Sequence, residues 1–104
     1  MAKVKATFYL PLRDNDGRSL AGEIKDAERR SWESCHAFTR AGVVTGAYRM
    51  SDGTRADDDL KRYELVLDDD RLADLKAILQ AFKSATTQEA IYLEVLYNVD
   101  IDFV

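Results

Sequence analysis

The sequence predicts an α+β domain in which strands and helices follow one another as βαββαβ. Three observations predict it. Residues 3–10 alternate apolar and polar side chains, the period of a half-buried strand. Two stretches, one from Ser19 and one from Leu72, place apolar residues at helical spacing. Strand-like runs lie between those stretches and after the second. Such an order builds a ferredoxin-like two-layer plait, with an antiparallel sheet and two helices on one face.

In the first strand Val4, Ala6, Phe8 and Leu10 point one way and Lys3, Lys5, Thr7 and Tyr9 the other. Pro11 ends it, having no N–H for a ladder, and residues 13–18 form a polar turn. The first helix is expected from Ser19, its N-cap, to about His36. Leu20, Ile24, Ala27, Ser31 or Trp32, and Cys35 form its apolar stripe. Gly22 weakens the first turn by roughly 1 kcal/mol relative to Ala. A strand is expected over residues 42–50, a turn at Ser51-Asp52-Gly53, and a longer hairpin loop over residues 54–59. The third strand then starts near Leu60.

Asp68, Asp69 and Asp70 precede Leu72, Leu75, Ile78, Leu79 and Phe82, the strongest helical pattern in the chain. The aspartates are placed to cap its N–H groups and to face its positive end. Thr86-Thr87 closes the helix. Residues 88–104 form the last strand region, interrupted at Tyr97-Asn98, where a second alternation of Val99, Ile101 and Phe103 begins. The expected core is Val4, Phe8, Leu10, Ile24, Tyr63, Leu65, Leu67, Leu72, Leu75, Ile78, Leu79, Ile91, Leu93 and Val95.

At 104 residues the expectation is a single domain spanning residues 1–104. Apolar residues make up 46% and charged residues 33%, which fits a globular chain. A net charge of −4 repels phosphate backbones, so a protein partner is expected rather than nucleic acid. Tyr9 with Lys3 and Lys5 hints at an RNA-binding face, but residues 61–67 lack the Gly-aromatic pattern of the RNA-recognition motif. One cysteine, Cys35, permits no intrachain disulfide and points to a reducing cytoplasm. The first residues lack the apolar core of a signal peptide, and no run is long enough to span a membrane.

The strand leading into Leu10-Pro11-Leu12 and its Asp-Gly turn, residues 42–48, the Ser51-Asp52-Gly53 turn, and Gln88-Glu89-Ala90-Ile91-Tyr92-Leu93-Glu94 together carry a resemblance. Across its whole length the chain resembles a group of small, uncharacterised bacterial and phage proteins with a ferredoxin-like fold. The last segment is the most specific. The resemblance implies the fold and brings no established activity, so no catalytic residue carries over.

Cys35 and His36 are adjacent on a helix, so their side chains diverge by about 100° and do not form a nucleophilic pair. The expected roles are a core Cys35 and a His36 that satisfies the helix's last carbonyls. Asp14, Asp16, Gly17 and Glu23 partly mimic a calcium loop, but Leu12 falls where the first ligand should be Asp. A polar turn before a helix accounts for them. Glu64 and Glu94 share the face opposite the core, where surface glutamates are ordinary. No catalytic, cofactor-binding or metal-ligating residue is assigned, and no cofactor.

Two features remain. The uncovered sheet face carries Tyr9, Val66, Tyr92 and Leu96, with either Val44 and Tyr48 or Val43 and Ala47. That set is more apolar than a solvated face. The main expectation is therefore a non-catalytic protein-binding module, a homodimer through this face by way of Tyr9, Tyr48, Val66, Tyr92 and Leu96. The second feature is the pair of acidic clusters, Asp57, Asp58 and Asp59 and then Asp68, Asp69 and Asp70, both expected on loops. They suggest an inhibitor encoded by a phage or mobile element, an anti-CRISPR-like protein that blocks a host nucleic-acid-binding protein. A small enzyme with its pocket at the dimer interface is the third reading.

Overall fold

The computed structural model describes residues 2–104. Strand β1 (Lys3–Pro11) leads to helix α1 (Ala21–Cys35). The long strands β2 (Thr39–Arg49) and β3 (Arg55–Asp68) form a hairpin. A single 3-10 turn (Asp69–Arg71) feeds helix α2 (Leu72–Ser84), and the short strand β4 (Leu93–Leu96) follows. The sheet order is β2-β3-β1-β4 with every neighbour antiparallel. This is the ferredoxin-like α+β fold, with both helices on one face.

The alternation in β1 decides the core. Val4, Ala6, Phe8 and Leu10 are buried beneath the helices. The register sets Ala6 between Leu65 and Val95, and Phe8 between Tyr63 and Leu93. Phe8 stacks on Tyr63 with ring centroids 5.2 Å apart. From above, α1 buries Ile24, Ala27, Ser31 and Cys35, and α2 buries Leu72, Leu75, Ile78, Leu79 and Phe82. Of the expected core, Ile91, Leu93 and Val95 are only partly buried, because they lie on or before the edge strand β4. At the open choice in α1, Ser31 is buried and Trp32 is 63% exposed.

Several boundaries differ from the sequence expectation, each for a local reason. Leu20, not Ser19, is the N-cap of α1, although Ser19 Oγ accepts from the Ala21 N–H at 3.3 Å. His36 closes α1 in the left-handed region (φ 66°), and its backbone N–H, rather than its ring, donates to the Trp32 carbonyl. Asp69 and Asp70 form the 3-10 turn and make no side-chain cap to α2; their charge still faces its positive end. Residues 55–59 are strand, not loop, because the Met50–Thr54 turn is tight: Gly53 N–H donates to Met50 O at 2.9 Å and Gly53 takes φ 87°. The last strand shrinks to four residues, since only those lie beside β1.

The β2–β3 hairpin outgrows the rest of the sheet. β1 ends at Pro11, opposite Leu60, so among the described residues the hairpin beyond that point has no third strand beside it. It gives the molecule a long axis of 43 Å against 24 and 22 Å. Between Arg40 and Val43 the pairing shifts through a bulge, where Gly42 takes φ 92°.

Leu75 has no exposed surface and sits where α2 meets the sheet. Leu75→Ala is expected to cost about 2–5 kcal/mol. Urea melts check it; a loss below about 0.5 kcal/mol would mean that the α2 face is misassigned.

Candidate functional site

The uncovered sheet face is built from cross-strand rows. Arg62 and Tyr9 are paired, and Tyr92 stacks on Tyr9 with centroids 4.6 Å apart. The next row sets Thr7 between Glu64 and Glu94. The row beyond it sets Lys5 between Val66 and Leu96. Tyr92 and Leu96 are each 48% exposed. Charges interleave with these apolar groups. Glu64 accepts from Arg62 at 2.7 Å and lies 3.9 Å from Lys5. The face is thus mixed rather than broadly apolar, because Thr7, Glu64 and Glu94 run through its middle.

On β2, Val44 and Tyr48 share this face. Tyr48 stands apart from the other four expected residues, out on the hairpin. Its hydroxyl donates to Asp58 at 2.8 Å and lies 3.4 Å from Gln88 Oε1. Partial burial and then Asp58 push its pKa up to about 12. The structure therefore groups Tyr9, Val66, Tyr92 and Leu96, and leaves Tyr48 out on the hairpin, its hydroxyl committed to Asp58.

The acidic clusters do not form arrays. Asp57, Asp58 and Asp59 lie on β3, where successive side chains alternate faces. Each already has a partner: Asp57 binds Arg55 at 2.8 Å, Asp58 binds Tyr48, and Asp59 accepts from Thr45 at 2.9 Å. Asp68 ends β3 and pairs with Lys3 at 2.7 Å.

The calcium-like turn is likewise committed. Asp14 is buried, and its carboxylate accepts from Thr87 N–H at 3.0 Å, Thr87 Oγ at 2.5 Å and Gln88 Nε2 at 3.2 Å. It ties the first turn to the loop after α2. Arg18 bridges the two carboxylates, reaching Glu23 at 2.8 Å and Asp14 at 3.2 Å, so a guanidinium takes the place between them that a cation would need. Burial on its own would raise the pKa of Asp14; its hydrogen bonds from Thr87, Asn15 and Gln88 outweigh that and hold it at about 2.

On the helix side, the overhanging hairpin and the start of α1 enclose a cleft of about 680 Å³, lined by Leu12, Ile24, Lys25, Glu28, Arg40 and Lys61 among others. Glu28 is its centre. Arg40 grips the carboxylate through two bonds of 2.9 and 2.7 Å, the Tyr63 hydroxyl donates to it, and Lys61 lies 3.5 Å away. Arg40 first, then Tyr63 and Lys61, hold the Glu28 pKa at about 2 against the effect of burial. Burial, then Glu28, push the Tyr63 phenol up. The sequence alone assigns Glu28 no role. The signal was Tyr63: a tyrosine in a core-facing strand position needs a partner for its hydroxyl.

A carboxylate this firmly ionised is a poor proton donor or acceptor near neutral pH. The Cys35 thiol is buried, and burial, then Asp74, push its pKa up, while His36 is exposed beyond the helix end. The two do not act on one another.

No family model matches the chain, and no curated protein matches it. Solved structures do. A phage SAM lyase in complex with S-methyl-5'-thioadenosine superposes with TM-score 0.69 at 13% identity, over 92% of this chain and 81% of that one. The divalent ion tolerance protein CutA1 from Ehrlichia chaffeensis follows at TM-score 0.65 and 7% identity, over 97% and 85%. CutA from Synechococcus elongatus gives 0.60 and 13%, over 95% and 80%. At such identities the likeness shows a shared fold. Among the described residues no helix is long and apolar enough to cross a membrane.

Asp14 and Glu28 carry a pH dependence. Their folded pKa values, about 2, lie below the ordinary 3.8 and 4.5. The unfolded chain therefore takes up their protons first on acidification. The stability they contribute is complete above about pH 5 and is lost as pH falls toward about 2. Thermal melts along that range should show Tm falling, with a shallower fall in Asp14→Asn. A parent Tm that is flat through this range would refute the assignment.

Proposed function

We propose that this chain is a non-catalytic protein-binding module that assembles with a second copy of itself through the open sheet face. The observation that carries the reading is the stacked Tyr9–Tyr92 pair beside exposed Leu96, on a sheet face that neither helix covers. Stacked aromatics on a rigid sheet are favourable anchors, since little side-chain freedom remains to be lost on binding. The charges favour a second copy over a strongly basic or acidic partner. Lys5 and Arg62 balance Glu64 and Glu94, so the face is close to neutral and carries both signs. Across a two-fold axis residue i of one copy meets residue j of the other and j meets i, so a near-neutral patch carrying both signs suits self-association. The reading names protein, not nucleic acid, as the partner. It places the module in the cytoplasm, in keeping with a free, buried Cys35.

Tyr92→Asp tests this reading. The substitution sets an unpaired charge inside the proposed interface, next to Glu94. Tyr92 is outside the core, so the fold should survive. Light scattering should show the assembly falling toward monomer while circular dichroism stays unchanged. An unchanged mass in the variant, or a parent that is monomeric throughout, would sink the reading.

A further inference from the structure

The three cross-strand rows of the open sheet face form a grid centred on Thr7. Arg62 and Tyr92 hold two of its corners, and Val66 and Leu96 the other two. Glu64 and Glu94 flank Thr7 across the strands, while Tyr9 and Lys5 flank it along β1. Thr7 is 5% exposed, sunk among these larger neighbours, so the ring around it is what a partner touches.

The charges of that ring are not settled within one chain. Glu94 accepts from the Tyr92 hydroxyl at 3.3 Å, and among the described residues it has no ion pair. Glu64 is bonded by Arg62 at 2.7 Å, and Lys5 reaches it only at 3.9 Å.

Two sheets packed face to face by a two-fold axis have that axis in the plane between them. Four such axes over Thr7 follow the grid. An axis along β1 sets Glu64 against Glu94 of the second copy. An axis across the strands sets each glutamate against its own counterpart. The diagonal through Arg62 and Leu96 sets Arg62 against Arg62. All three oppose like charges, which an interface pays for heavily. The diagonal through Tyr92 and Val66 opposes none. It carries Lys5 over Glu64 of the second copy. Like-facing residues along a strand are farther apart than neighbouring strands, about 6.7 Å against about 4.8 Å, so Arg62 falls between Glu94 and Leu96. Tyr92 then meets Tyr92, and Val66 meets Val66, on the axis itself. The two sheets cross steeply, which is the orthogonal class of sheet packing.

We propose that the second copy lies across the open face about the Tyr92–Val66 diagonal, in an orientation selected by reciprocal Lys5–Glu64 and Arg62–Glu94 pairs between copies. The proposal rests on the assembly proposed above and adds its orientation. The pairs act mainly by excluding the other three arrangements, since exposed ion pairs add little affinity and opposed like charges remove much.

The test uses full-length protein. Lys5→Glu with Glu64→Lys in one chain exchanges the two charges and keeps opposite signs within that chain. This double variant should assemble as the parent does. It should not exchange subunits with the parent, because a mixed pair opposes like charges at both contacts. As separate variants, Lys5→Glu and Glu64→Lys should each assemble about tenfold or more weakly. An equimolar mixture of the two should recover the parent's affinity, although each chain still opposes like charges within itself. Sedimentation reads the mass, native mass spectrometry the exchange and circular dichroism the fold. Where the separate variants do not fold, the exchange between double variant and parent decides alone. A dimeric parent that mixes freely with the double variant, or no recovery on mixing the folded separate variants, overturns the orientation and leaves the open-face assembly standing. A monomeric parent overturns both.

Discussion

β1 is hydrogen-bonded on both sides, to β3 along its whole length and to β4 over residues 5–8, so its pleat decides which side chains of three strands face the helices. A slip of one residue would turn Val4, Phe8 and Leu10 to solvent and carry Lys5 and Tyr9 inward. The helices add a second reason for one register. The buried stripes of α1 and α2 join Val4, Phe8, Leu10, Leu65 and Leu67 in one core cluster. Strand period and helix period thus agree on a single core.

The overhanging hairpin follows from the same arrangement. β1 stops at Pro11, yet β2 and β3 continue together. Beyond that point, among the described residues, the hairpin has a helix-side surface that no helix covers and an outer edge that no strand covers. The first makes the wall of the cleft at Glu28, and the second makes the unpaired edge at residues 43–49. The chain braces the hairpin with Ser51, whose N–H and hydroxyl both donate to Glu89 in the loop after α2. Asp14 holds that loop in turn through Thr87 and Gln88. One buried carboxylate therefore positions the hairpin through two steps.

The acidic composition reads differently once the side chains are placed. Glu28 is paired with Arg40 and Lys61 and Asp14 with Arg18, and most carboxylates of the β3 clusters are matched by neighbours. Little of the negative charge is gathered into a field that a basic partner would recognise. The unmatched features are instead apolar and main-chain: stacked tyrosines on the sheet and a bare edge. Features of this kind suit contact with another protein, which is the basis of the proposed assembly.

Period alone made the element order, the plait and most of the core legible in this sequence, because Val4, Phe8, Leu75 and Leu79 obey local rules that need no knowledge of neighbours. The open-face residues Tyr9, Val66, Tyr92 and Leu96 were legible for the same reason, since alternation assigns a face. Boundaries were less so. The extent of β3 before Leu60 and the end of β4 at Leu96 depend on which strand lies alongside, and that is a tertiary fact. Glu28 joined to Tyr63, and Asp14 joined to Thr87, were invisible because they connect positions 35 and 73 residues apart. The charge row through the open face came from register. The sequence by itself determined which side chains face inward, because period is local; only the tertiary structure decided which polar groups meet and which edges stay open, because those follow from pairing across the sheet.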